Sequence, residues 1–239
     1  MSSTVALAAI GAIAGAVFGA FAATVAVRAS SGETALFGQS RCDACAKPLA
    51  AHETVPVVSF LLHFGRCRAC GAAIPRLHIV GEFGGAVLGA GVLGTQAWPN
   101  VVWIAGLVAS VWTLCLMDWS VHRLPDPLVA LTGLFAALLA VRAGTLMLNA
   151  AIAGVFVVAV WAALRILEHR RGRMLMGRGD LKLMAALGVG LGPALPSAVG
   201  VAACGALAVA LVGGRAARTE PRAFGPWLAL GALVAEVGT

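Results

Sequence analysis

Residues 101–118 read VVWIAGLVASVWTLCLMD, an uncharged and mostly apolar run that ends in a carboxylate. A hydrocarbon core about 30 Å thick takes roughly 20 apolar residues of helix, so this stretch has the length of a transmembrane span. Comparable runs cover 5–27, 79–97, 127–147, 149–167, 183–195, 197–214 and 224–238. Of the 239 residues, 60% are hydrophobic and only 11% charged, against about 25% charged in soluble domains. Too few charges remain to cover a soluble globule. The expected fold is all-α, a polytopic membrane bundle of about eight transmembrane helices. The first run has no basic segment before it and no A-x-A site at its end, so it reads as a retained span rather than a removed signal.

The net charge of +7 does not form one patch. Sixteen of the seventeen Lys and Arg fall in the segments 28–78, 118–126, 165–182 and 215–222, and only Arg142 lies between the others. Such asymmetry is the positive-inside signature. It places those segments in the cytoplasm and, with eight spans, both termini outside. No basic-aromatic platform suggests nucleic acid, and no fixed-period repeat is visible. The chain divides into a first helix over 1–27, a cytoplasmic loop over 28–78 and a membrane core over 79–239.

Within the loop stand Cys42-x2-Cys45 and Cys67-x2-Cys70, with 21 residues between the pairs. Two such knuckles suit a tetrahedral four-thiolate zinc site, and the metal substitutes for the core that a short loop lacks. Two disulfides are the rival, disfavoured in a reducing cytoplasm. Four thiolates leave no open coordination position, so the expected zinc is structural. His52 and His63 share the loop and read as solvated surface. Cys115 and Cys204 lie in apolar runs and read as small buried hydrophobes.

There are ten carboxylates. Glu33, Asp43, Glu53, Glu168 and Glu220 read as solvated loop residues, and Glu236 as an outer-interface residue. Glu82, Asp118, Asp126 and Asp180 remain. Asp118 closes one span, and Asp180 opens another in the stretch MGRGDLKLMAALG. Acids in or beside spans are costly and usually functional. Two carboxylates at one depth can share a proton, so that one activates water while the other, protonated, polarises a peptide carbonyl, as in aspartic proteases. The plain alternative is that each caps a helix or meets interfacial water. Gly177 and Gly179, which have no side chains, allow close backbone approach just before Asp180.

Five ordered stretches resemble the type IV prepilin peptidases, membrane aspartyl proteases that process type IV pilins and pseudopilins. They are GAVFGAFAATVAVR, the two-knuckle segment RCDACAKPLAAHETVPVVSFLLHFGRCRACGAAIPRLHIVGE, DWSVHRLPDPL, GRGDLKL and FGPWLALGAL. The resemblance implies catalytic roles for Asp118 and Asp180. It marks Asp126, Glu82 and Lys182, with Gly177 and Gly179, as supporting or substrate-contacting positions. It also implies prepilin or pseudopilin substrates with a short basic leader, cleavage after a Gly, and residence in a bacterial inner membrane with the active site at its cytoplasmic face. Many members N-methylate the product with S-adenosylmethionine. Here Ala20-Phe21-Ala22-Ala23 stands where the family usually has S-F-L-N, so a common Asn is missing.

Two other classes compete. A proton- or metal-coupled transporter needs polar groups at several depths, whereas the outer halves of these spans are nearly bare. A non-enzymatic assembly scaffold predicts that both Asp118 and Asp180 are dispensable.

Overall fold

In the computed structural model, residues 3–33, 39–95, 99–172, 174–212 and 224–237 are described. The basic segment 215–222 with Glu220 lies outside them, and so does the Glu236 side chain. Each apolar run becomes a helix, as its length and lack of charge dictate. The described residues form α1 (Ser3–Ser30), α2 (Val58–Leu62), α3 (Arg76–Thr95), α4 (Asn100–Val121), α5 (Asp126–Arg142), α6 (Leu146–Arg171), α7 (Arg178–Leu191), α8 (Leu195–Val212) and α9 (Gly225–Val237). Five segments among them are long and apolar enough to cross a membrane: Ser3–Ser30, Arg76–Thr95, Asn100–Val121, Leu146–Arg171 and Arg178–Val209. Among the described residues, eight helices besides the five-residue α2 match the expected number of transmembrane helices. As a count of crossings it is approximate, because α5, α7 and α9 have only 17, 14 and 13 residues.

The chain divides into two compact units, Met1–Val121 and His122–Thr239. In the first, α1 and α3 pack antiparallel along glycines. Gly11 faces Gly89, Gly15 faces Gly85 and Gly19 faces Gly81, and a Cβ on any α1 member would overlap the carbonyl opposite. Without a hydrophobic force between spans in lipid, close backbone approach supplies the packing. On α4, the Trp112 ring covers Gly84, and its Nε1 donates to the Gly81 carbonyl at 3.2 Å. Ser120 Oγ donates to the Ala26 carbonyl at 3.1 Å, tying the end of α4 to α1.

In the second unit α7 packs against α5 and α6. Leu183, Met184 and Leu187 on α7 are buried, as are Leu195, Ala198 and Ala202 on α8 and Leu228 on α9. The α7–α8 break is held by Asn149 of α6, whose Nδ2 donates to the Val189 and Gly190 carbonyls, each at 3.1 Å. Gly192 there has φ +51°, and a Cβ would overlap Asn149 Oδ1. Cys115 is buried as expected, but Cys204 is exposed. Ala198 and Ala202, four apart, form the inner face of α8, and a residue two positions on turns to the opposite side.

Candidate active site and metal centre

The two knuckles repeat one backbone pattern at an offset of 25 residues. The Cys42 amide donates to the Lys47 carbonyl at 3.0 Å, and the Ala46 amide to the Cys42 carbonyl at 2.9 Å. The Cys67 amide donates to Ala72 and the Gly71 amide to Cys67, both at 2.9 Å. Each is closed by an antiparallel bridge, Arg41 with Pro48 and Arg66 with Ala73. The turn residues after the second and fourth cysteines, Ala46 and Gly71, both have positive φ, 57° and 71°. A structural repeat therefore exists where the sequence shows no fixed period, because it resides in backbone hydrogen bonds.

All four Sγ atoms lie within 4.8 Å of one another, and Cys42 and Cys70 are 3.9 Å apart. Zinc–sulfur bonds of about 2.3 Å in a tetrahedron separate sulfurs by about 3.8 Å, so the donor set fits a tetrahedral thiophilic metal. Among the described residues this ligand cluster contains no histidine. His52 Nε2 instead lies 3.1 Å from Arg68 Nη1, and His63 ends α2. The Cys70 and Ala69 amides lower the Cys67 thiol to about 7. Although the Ala72 amide acts against it, the neighbouring Cys45 thiol and desolvation push Cys70 up to about 11.

The ribbon is fastened to helix ends through an acid inside a knuckle. Asp43 lies 3.7 Å from His78 Nε2 on α3 and 3.9 Å from the Nε of Arg28 on α1. The His78 imidazole, with Arg28 and Arg41 nearby, holds its carboxyl below the usual range. The Arg28 side chain is only 7% exposed, turned in to this anchor and away from solvent. Other acids read as solvated loop residues also have partners, and Glu168 lies in the last turn of α6 instead of a loop. Glu33 pairs with Arg41 at 2.6 Å, Glu53 accepts from the Ala50 amide, and Glu168 from the Leu175 amide.

Glu82, one turn and a half into α3, is 9% exposed and accepts a 2.6 Å hydrogen bond from the Val57 amide. Val57 has φ +63° and ψ −50°, and the Val58 amide donates across it to the Pro56 carbonyl at 2.6 Å. This is the rare γ-turn with positive φ. A β-branched residue there is strained by about 1–3 kcal/mol.

Asp118 occupies the last turn of α4 at 5% exposure, within a buried run from Thr113. Asp180 is half-buried in the first turn of α7, where the helix dipole favours a carboxylate. A Cβ at Gly177 would stand 3.2 Å from Asp180 Oδ2, and one at Gly179 would stand 3.2 Å from Leu124 Cβ. Both glycines thus make room inside the second unit, the first for Asp180 itself. Lys182 and Asp126 come together at 2.6 Å, with side chains 54% and 71% exposed. Asp126 opens α5 with Pro127 in the first turn, where proline's fixed φ suits a helix start. Sequence reasoning missed the anchoring roles of Arg28 and His78 and the turn at Val57. An acid placed between two ligand cysteines was the only signal for the first, and nothing marked the second.

An all-helical membrane protein with a four-thiol cluster that could hold a metal, and carboxylates at helix ends, is a narrow class. Residues 13–95 match the bacterial peptidase A24 N-terminal domain, and residues 105–213 match the type IV leader peptidase family. The chain belongs to that family. It is 38% identical over 208 residues to the prepilin leader peptidase/N-methyltransferase of Burkholderia pseudomallei strain 1026b, covering 81% of this chain and 65% of the relative. The proteins of the same name from Pectobacterium carotovorum and Bacillus subtilis strain 168 are 34% and 30% identical. Those alignments cover 81% and 92% of this chain, and 72% and 90% of the relatives. The chain spans 65% of the length of its Burkholderia relatives. No solved structure matches it.

Proposed function

We propose that the chain is a membrane-embedded aspartic endopeptidase that removes the short basic leader from type IV prepilins or pseudopilins at the cytoplasmic face of a bacterial inner membrane. The observation that carries this reading is Asp118. It is a carboxylate 5% exposed at the end of an apolar membrane-length helix, inside the region that matches the leader peptidase family. Such an acid is retained against a large desolvation penalty. Asp180, in the same family region, supplies the second carboxylate.

In the proposed reaction the ionised partner of the pair takes a proton from water, whose oxygen attacks the scissile carbonyl carbon. The protonated partner donates to the carbonyl oxygen. Collapse of the tetrahedral diol breaks the C–N bond, and the amine leaves with the proton held by the first carboxylate. No covalent enzyme intermediate forms.

Cys42, Cys45, Cys67 and Cys70 would hold zinc. Four thiolates complete its coordination, so its role is to fold the ribbon. The relatives' names also include N-methyltransferase, for which S-adenosylmethionine would be the donor. The positive-inside bias supports the orientation, with the ribbon cytoplasmic and both termini outside.

The test is leader removal from a co-reconstituted prepilin, followed by mass spectrometry. Asp118→Asn and Asp180→Asn should each lower the rate by about a thousandfold while keeping wild-type metal content. Unchanged rates in both single variants would sink the reading and favour a scaffold. A product heavier by one methyl group would add the transferase.

A further inference from the structure

We propose that the segment Val55–Phe64, between the two knuckles, is seated in the headgroup–acyl boundary of the bilayer and rests the metal ribbon on the membrane surface. The segment is apolar and lies outside every membrane-length helix. Its side chains do not form a core. Val55 is 43% exposed, Val58 50%, Leu61 63%, Leu62 67% and Phe64 90%.

Its depth follows from a hydrogen bond. Val57 is pinned to Glu82 at 2.6 Å, and Glu82 lies six residues into α3, which begins at Arg76. At 1.5 Å per residue that is about 9 Å along the helix from its basic end. Interfacial segments bury their apolar faces about 5–10 Å into the headgroup boundary. Beside Glu82, Phe83 is 63% exposed, and Val87 one turn further is 57% exposed. The strongly exposed large apolar side chains of α3, a membrane-length helix, therefore begin at the level where the segment is fastened.

Local backbone geometry points the same way. The Arg66 amide donates to the His63 carbonyl at 3.0 Å around Phe64 (φ +51°) and Gly65 (φ +65°). This is a tight turn whose first central position favours Asn, Asp or Gly. An aromatic there is backbone-strained and 90% exposed, so little burial against protein offsets either penalty. Phe60 by contrast folds inward over Gly65. Lys47, Arg66, Arg68 and Arg76 flank the segment, and such cations are drawn to anionic headgroups.

The experiment uses the unmodified full chain, alone, in phosphatidylethanolamine–phosphatidylglycerol vesicles. A fraction of the phospholipid carries a diazirine on the acyl chain close to the ester. After irradiation and digestion, lipid adducts are mapped by mass spectrometry. The peptide containing 55–64 should be labelled within about threefold of the α1 peptide containing Ile13, and at least about tenfold above the knuckle peptide around Cys45. Labelling of 55–64 no higher than that of the knuckle overturns the proposal, and means that water, a peptide or a second copy covers the segment. No activity is measured, so the outcome is independent of whether Asp118 and Asp180 cleave peptides.

Discussion

Glu82 and Val57, 25 residues apart, are joined by a 2.6 Å hydrogen bond from the Val57 amide to the Glu82 carboxylate. The bond holds a strained γ-turn, so its removal releases the turn as well as losing one interaction. Glu82→Ala leaves a part-buried amide unmatched and should lower stability by about 2 kcal/mol, whereas Glu82→Gln retains an acceptor oxygen and should lower it by less than about 1 kcal/mol. Thermal unfolding in micelles reads both. Equal losses in the two variants would show that the carboxylate matters for its charge and not for this bond.

The α1–α3 seam gives opposite expectations for one substitution at two sites on one helix. At Gly85 a Cβ would overlap the Gly15 carbonyl, and at Gly91 nothing lies within 4 Å. Gly85→Ala should force the backbones apart and lower stability by about 1–3 kcal/mol. Gly91→Ala should be neutral or stabilising by up to about 1 kcal/mol, from helix propensity alone. Similar unfolding midpoints for the two variants would mean that the seam does not pack this closely.

What could be foreseen divides along a physical line. Lengths of uncharged sequence located every long helix, because desolvation acts on runs rather than on pairs. Helix ends were less visible. Charges at Arg165 and beyond suggested a loop, yet α6 continues to Arg171 and ends on Gly172 in the left-handed conformation. Likewise α7 begins at Arg178, five residues before its apolar run, since Gly177 stays extended and Asp180 favours a first turn. The cysteine cluster was legible because metal geometry fixes spacing. Glu82 with Val57, and Asp43 with Arg28 and His78, were not. These pairings bridge distant segments and carry no local pattern.

The knuckle pseudo-repeat places an alanine where its counterpart is a glycine. Ala46 has φ +57° and Gly71 has φ +71°, and a non-glycine residue in that region is disfavoured by about 1–2 kcal/mol. Ala46→Gly relieves this strain but adds unfolded-state freedom of about 0.4–1 kcal/mol. A net gain of about 0.5–1 kcal/mol is expected, read as slower metal loss to a chelator. Gly71→Ala should do the reverse. Faster metal loss from Ala46→Gly would refute the equivalence of the two turns.

Metal content tests the ribbon directly. Purified protein should carry one zinc per chain, and Cys42→Ser or Cys70→Ser should reduce it to near zero, since a four-thiolate site holds poorly on three. Arg28→Met removes a helix-end anchor of Asp43 but no ligand, so it should keep the metal while lowering the unfolding midpoint. Elemental analysis beside thermal unfolding separates the two effects. Full zinc occupancy in both serine variants would remove the cluster from consideration as the site.

Lys182 and Asp126 make a 2.6 Å ion pair, but with side chains 54% and 71% exposed it contributes no more than about 1 kcal/mol. Lys182→Met should therefore move the unfolding midpoint by less than about 4 °C. Stability is thus too small a duty to explain an exposed cation two residues after Asp180. We expect Lys182→Met to slow leader removal at an unchanged midpoint, and Lys182→Arg to restore much of the rate by keeping the positive charge. Rate measurements at matched metal content decide it. A midpoint drop well beyond 4 °C in Lys182→Met, accompanied by the same loss of rate in Lys182→Arg, would make the residue a structural strut between α5 and α7 instead.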